Sequence, residues 1–190
     1  MQVATNMQHR RRMASARLGD FDKALSLALS AHGGRHSRTD EIAKALTELG
    51  KTPVYLAIIL AVGGLNGAIA LALLAMLVAT ETLNKLLKAL VRRERPFEAY
   101  QDQVHIDPYE GRHSFPSAHA QAAAAIWGSI GWFSADPLIA LPCLVLILAI
   151  GWSRIHLAAH FPSDVLGGWL IGGCQAAVLA LVFPLAQTAM

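Results

Sequence analysis

The sequence predicts an all-α fold: a polytopic membrane helix bundle of about five transmembrane helices, with an N-terminal interfacial amphipathic helix. Three observations predict it. The composition is 54% hydrophobic and only 15% charged, with mean hydropathy +0.41, well below the roughly 25% charge of soluble domains, so ordinary soluble and disordered classes are both excluded. The 16 basic and 13 acidic residues are also segregated: residues 52–80, 113–135, 137–153 and 165–190 carry none of them. Each run is near or above the roughly 18 residues that mark a membrane span. Lastly, prolines and glycines fall at the edges of these runs, where helices start and stop.

Residues 1–16 are polar and basic and are expected to be poorly ordered; no apolar stretch of signal-peptide type follows Arg10–Arg12, so they are read as part of the mature chain. Residues 17–190 then form a single membrane-embedded domain. Phe21, Ala24, Leu25, Ala28 and Leu29 make one helical stripe, with Asp20, Asp22 and Lys23 near its start. The segment is too short to span and is expected to lie in the interface. His32-Gly33-Gly34 ends it. The next helix begins near Thr39, where Glu41, Lys44, Glu48 and Lys51 form a single polar face that disappears at Pro53.

The uncharged run from 52 continues into Glu81–Arg95, and one helix of that length would exceed what a bilayer of ~30 Å requires. Gly63-Gly64-Leu65-Asn66-Gly67 is the expected turn, giving helices over 40–62 and 68–94. Further helices are expected from Pro116 to 133, Pro137 to 157 and Pro162 to 184. Trp132, Trp152 and Trp169 fall near predicted span ends, as interfacial anchors do. Gly168 and Gly172, with Gly167 and Gly173 beside them, let the last helix approach a neighbour closely. Cys143 and Cys174 lie in apolar runs at different depths, so no disulfide is expected. The net charge of +3 does not signal nucleic acid, because the basic residues sit beside membrane segments and lack an aromatic platform.

Three polar clusters lie at helix ends that an up-down topology places on one membrane side. In the first, Lys88 and Arg95 are seven residues apart, two helical turns, before Pro96; snorkelling toward headgroups is the plain alternative. In the second, Ser114-Phe115-Pro116-Ser117-Ala118-His119, the free N–H groups of a helix start suit an anion. Ser117 adds a hydroxyl and His119 a proton donor, while simple capping is the alternative. In the third, Ser153-Arg154 precedes His160 and Asp164. Asp164 either caps the last helix or accepts a ring N–H of His160 and leaves the other nitrogen nucleophilic. His156, His160 and Asp164 could suggest a metal site, but Pro162 interrupts the helix, and neither metal nor other cofactor is expected. Clustered cations, a helix start, two histidines and one carboxylate suit a phosphoryl group.

Lys88 with six residues before Arg95-Pro96, Pro116-Ser117-Ala118-His119, and Ser153-Arg154 with five residues before His160 and three before Asp164 resemble the type 2 phosphatidic acid phosphatase (PAP2) superfamily. Its pattern is K-x6-R-P, P-S-G-H and S-R-x5-H-x3-D, and the resemblance spans about Lys85 to Asp164. It implies a metal-independent lipid phosphatase working through a phosphohistidine. By position, His160 is the nucleophile, Asp164 its orienting partner and His119 the general acid, while Lys88, Arg95, Arg154, Ser117 and the Ala118 N–H hold phosphate oxygens. Ala118 replaces the usual Gly, which would strain a backbone of positive φ. The implied partners are a membrane lipid phosphate and the bilayer, in a bacterial inner membrane.

Vanadium-dependent haloperoxidases share these motifs but are larger and soluble, and a silent lipid-binding or transporter-like bundle would not need every motif position. Candidate substrates are phosphatidic acid, phosphatidylglycerol phosphate and a polyprenyl diphosphate. The loop Phe97–His113, with Glu98, Asp102, Asp107 and Glu110, is the expected selectivity element. All 16 Lys and Arg fall on the side that holds the motifs, so the positive-inside rule predicts a cytoplasmic site with the C-terminus outside. Bacterial relatives more often resemble outward-facing enzymes. That orientation would need either an extra N-terminal span or a translocated basic N-terminus, and the three charges and short length of Leu18–Gly33 disfavour a span there.

Overall fold

A computed structural model describes residues 19–26, 28–29, 38–96 and 113–188. The basic segment 1–16 and most of the loop 97–113 lie outside the described residues. Six helices follow a short N-terminal helical segment over 19–26: α1 Arg38–Leu49, α2 Thr52–Gly63, α3 Gly67–Val91, α4 Ala118–Ser134, α5 Pro137–His156 and α6 Pro162–Thr188. All regular secondary structure among the described residues is helical, as predicted.

The expected helix 40–62 is two helices meeting at 53°. The break falls at Gly50–Lys51, since Pro53 at the start of α2 lacks an N–H and its ring clashes with a continuing turn. The turn after Gly63 is where it was expected, and Asn66 caps α3 by accepting from the N–H groups of Ala68 and Ile69, both at 3.1 Å. α3, α5 and α6 are long and apolar enough to cross a membrane, and α1 with α2 makes a fourth if the bent pair is one span. α4, at 17 residues, sits at the lower limit of the roughly 17–25 that cross a bilayer. Packed against α3, α5 and α6, it is the bundle's central element.

α4 holds that centre because its N-terminal half is almost all alanine and buried all round: Ala120 and Ala122–Ala125 are buried. α6 presses against it through glycine. A Cβ on Gly168 would sit 2.7 Å from the Ser117 carbonyl oxygen, and one on Gly172 only 2.2 Å from that of Gln121. Gly173, by contrast, faces open space and takes no part in this approach. Tyr55, Ile59, Leu73, Met76, Leu77 and Ile126 fill the core between α2, α3 and α4. Leu60, Leu71, Leu138, Leu170 and Leu181 are exposed on the outside, the pattern of helices solvated by lipid.

Of the three tryptophans expected as interfacial anchors, only Trp132 is exposed. Trp169 turns inward, donating to the Ile147 carbonyl at 3.2 Å, and Trp152 stacks on His156 with centroids 4.8 Å apart. Cys143 and Cys174 are free thiols. The N-terminal segment is oriented by its polar side: Asp22 and Ser26 are buried while Phe21 and Leu29 of the apolar stripe are exposed.

Candidate active site

α5 ends at His156, and the chain reverses through Ala158, whose φ is 49°. The N–H groups of Ala159 and His160 both donate to the Arg154 carbonyl, at 3.1 and 3.2 Å. This reversal folds His160 back over the end of α5, where it is almost completely buried. Asp164, in the first turn of α6, accepts the Phe161 N–H on Oδ2 at 2.9 Å, so it does cap the helix. The same oxygen lies 3.7 Å from His160 Nδ1, close enough to orient the ring electrostatically but longer than a hydrogen bond.

His160 Nε2 lies 3.3 Å from Arg95 Nη1. A guanidinium only donates, so the lone pair belongs on Nε2 and the ring proton on Nδ1, toward Asp164. Arg95 also donates to the Ala159 carbonyl at 2.8 Å. It does not reach this position along a helical stripe: α3 ends at Val91, Arg92 takes a left-handed φ of 50°, and residues 92–95 lie outside any helix. Pro96 comes after that stretch and stops no helix. Lys88 alone of the pair is helical, half-buried in the last turn of α3. One turn earlier, Asn84 donates to the Pro116 carbonyl at 3.2 Å and to Gln121 Oε1 at 2.8 Å, which turns the Lys88 face of α3 toward the start of α4.

Pro116 lies outside α4, not at its first helical position. The N-cap is Ser117, whose Oγ accepts the Ala120 N–H at 3.4 Å and whose own N–H donates to the Asp164 carbonyl at 3.0 Å. Ala118 opens the helix, and positive φ among the described non-glycine residues is confined to Arg92, Ala135 and Ala158. Alanine in place of glycine is therefore unstrained there. His119, in the first turn of α4, packs against the α1–α2 break, with its Cδ2 3.0 Å from where a Gly50 Cβ would sit. Arg154 is buried and donates to Thr47 Oγ1 at 3.0 Å.

Three residues of this cluster were not legible as site residues. Arg93 donates to Asp164 Oδ1 at 2.8 Å, Ser163 Oγ at 2.6 Å and Asp22 Oδ2 at 2.6 Å, and its guanidinium lies 4.3 Å from the centre of the Phe161 ring. Asp22 in turn accepts the Ser163 N–H at 3.1 Å and the Ser163 hydroxyl. Thr47 joins Ser153 Oγ at 3.0 Å as well as Arg154. The one available signal was the density of arginine at 92, 93 and 95 in a chain poor in charge. His156 is turned away from His160, with Nε2 3.0 Å from Asp40 Oδ1, so His156, His160 and Asp164 do not form the metal triad their spacing allowed.

A buried histidine between an arginine and a carboxylate lies at converging helix ends of an apolar bundle whose long helices suit a membrane. The sequence matches the PAP2 superfamily over residues 69–187, and the chain belongs to that superfamily. Phosphatidylglycerophosphatase B of Bacillus subtilis (strain 168) is 34% identical over 99 residues, covering 47% of this chain and 46% of the relative. Undecaprenyl-diphosphatase BcrC of the same organism is 36% identical over 90 residues, covering 47% and 45%. The chain thus spans about half the length of the curated relatives it matches. Among solved structures, a transmembrane PAP2 type phosphatidylglycerolphosphate phosphatase from Bacillus subtilis superposes with TM-score 0.74 at 26% identity, covering 86% of this chain and 84% of that one. Aquifex aeolicus LpxE shares the fold, with TM-score 0.71 at 23% identity over 82% of this chain and 92% of that one.

Proposed function

We propose that the chain is an integral-membrane phosphatase of the bacterial inner membrane that hydrolyses a lipid phosphomonoester or diphosphate through a phosphohistidine. The observation that carries this reading is the Arg95 guanidinium 3.3 Å from His160 Nε2: a fixed cation stands beside the atom that would bond to phosphorus. Nε2 attacks the phosphorus while the bond to the leaving oxygen breaks, and His119 gives that oxygen its proton. Arg95, Arg154, Lys88, Ser117 and the Ala118 N–H hold the non-bridging oxygens. Asp164 steadies the imidazolium that forms. Water then attacks the phosphohistidine, His119 takes its proton, and inorganic phosphate leaves.

The relatives' names support the substrate class, since they act on phosphatidylglycerophosphate and undecaprenyl diphosphate. The test is phosphate release from phosphatidic acid, phosphatidylglycerol phosphate and a prenyl diphosphate in detergent, with EDTA present. Release from at least one lipid is expected. Activity abolished by EDTA and restored by one divalent ion would overturn the metal-independent mechanism, and no release from any lipid would overturn the function.

A further inference from the structure

A cavity of about 320 Å³ opens at the α1–α2 break, lined by Gly50, Lys51, Thr52, Glu81 and His119 among others. Its wall includes His119 and the neighbouring Ala118 at the start of α4, but not His160, Arg95 or Arg154. In an in-line displacement the nucleophile and the leaving oxygen lie on opposite sides of phosphorus. Space on the acid's side, away from the nucleophile, is where the leaving group must lie.

The chemistry of that space is set by Glu81. It is a half-buried carboxylate in the middle of a membrane helix, and such groups face a bundle interior or a wet cavity and mark function. Its Oε1 accepts the Thr52 hydroxyl at 3.0 Å, which fixes the carboxylate in the cavity wall. Lys51, the cation in the lining, is ion-paired with Glu48. The cavity therefore offers a hydrogen-bond acceptor of negative charge, which attracts a hydroxyl and repels a phosphate.

We propose that this cavity is the leaving-group subsite and that Glu81 determines its specificity, accepting a hydrogen bond from a free hydroxyl beside the scissile oxygen and disfavouring a second phosphate. The preferred substrate is then a lipid phosphomonoester whose leaving alcohol is a polyol. This rests on the hydrolytic reading above.

The test uses the full chain in detergent and three probes: phosphatidylglycerol phosphate, which has such a hydroxyl; phosphatidic acid, which has none; and farnesyl diphosphate, which carries a second phosphate. Wild type should prefer them in that order by kcat/KM. Glu81→Ala should lower the ratio of the first to the second at least about tenfold, the worth of one hydrogen bond to a charged group. Glu81→Gln keeps an acceptor and should instead raise the relative rate on farnesyl diphosphate several-fold. If Glu81→Ala fails to fold, Thr52→Val, which frees the carboxylate, should shift the first ratio the same way by less. Unchanged ratios in active variants, or a wild-type preference for the diphosphate, would overturn the subsite alone. Wild type inert on all three would overturn the phosphatase reading and the subsite with it.

Discussion

Arg93 holds Asp164 from the side opposite His160: its Nη1 lies 2.8 Å from Oδ1, while Oδ2 is the oxygen that faces the ring. Its Nη2 is 2.6 Å from Asp22, so the N-terminal helical segment anchors the same guanidinium. In the proposed mechanism Arg93 is a positioning residue, fixing the carboxylate that orients the imidazole. Arg93→Ala should lower kcat about 10- to 100-fold, the worth of a charge-assisted hydrogen bond, with KM changed less. Arg93→Lys should recover part of that loss. A loss in KM alone, with kcat intact, would place Arg93 in binding instead.

Thr47 stands in the same relation to Arg154. Its hydroxyl, 3.0 Å from Arg154 Nη1, aims a cation proposed to hold phosphate. Thr47→Val should raise KM roughly three- to tenfold, and Thr47→Ser should keep the wild-type value. Steady-state kinetics on one lipid phosphate checks both.

The α4–α6 contact makes a stability prediction with an internal control. A methyl at Gly172 would overlap the Gln121 carbonyl at 2.2 Å, whereas one at Gly173 meets nothing within 4 Å. Gly172→Ala should destabilise by about 1–3 kcal/mol, as overpacking does, and Gly173→Ala should not. Thermal unfolding in one detergent distinguishes them.

Much of this arrangement was legible before any coordinates, for a physical reason: lipid exposure forces long uncharged runs, so Gly67–Val91, Pro137–His156 and Pro162–Thr188 show themselves by composition. His160, Asp164 and Arg154 were readable by spacing within one short segment. What spacing misjudged was backbone geometry at helix ends. Arg95 looked helical because Lys88 is, yet Arg92 turns the chain out of the helix. Pro116 looked like a first helical residue, yet Ser117 caps the helix after it. Thr47, Asp22 and Glu81 were hidden for another reason. Their roles come from contacts over long sequence distances, 107 residues from Thr47 to Arg154 and 71 from Asp22 to Arg93.

Membrane orientation is open to direct labelling. The five-span topology expected from the sequence, with the basic residues and the motifs on one side, predicts that the C-terminal end of α6 lies outside. With Cys143 and Cys174 replaced, a cysteine at Gln187 should react with impermeant thiol reagents in intact cells. Protection there would reverse the predicted topology.

The central claim is that His160 carries the phosphoryl group, and its most direct measurement is capture of that intermediate. Lipid labelled with 32P on the scissile phosphate, quenched in denaturant within one turnover, should leave acid-labile, alkali-stable label on the wild-type chain and accumulate more of it when the second step is slowed. His160→Ala should carry no label and show no turnover. A His160→Ala protein that still hydrolyses the lipid at the wild-type rate would contradict the account.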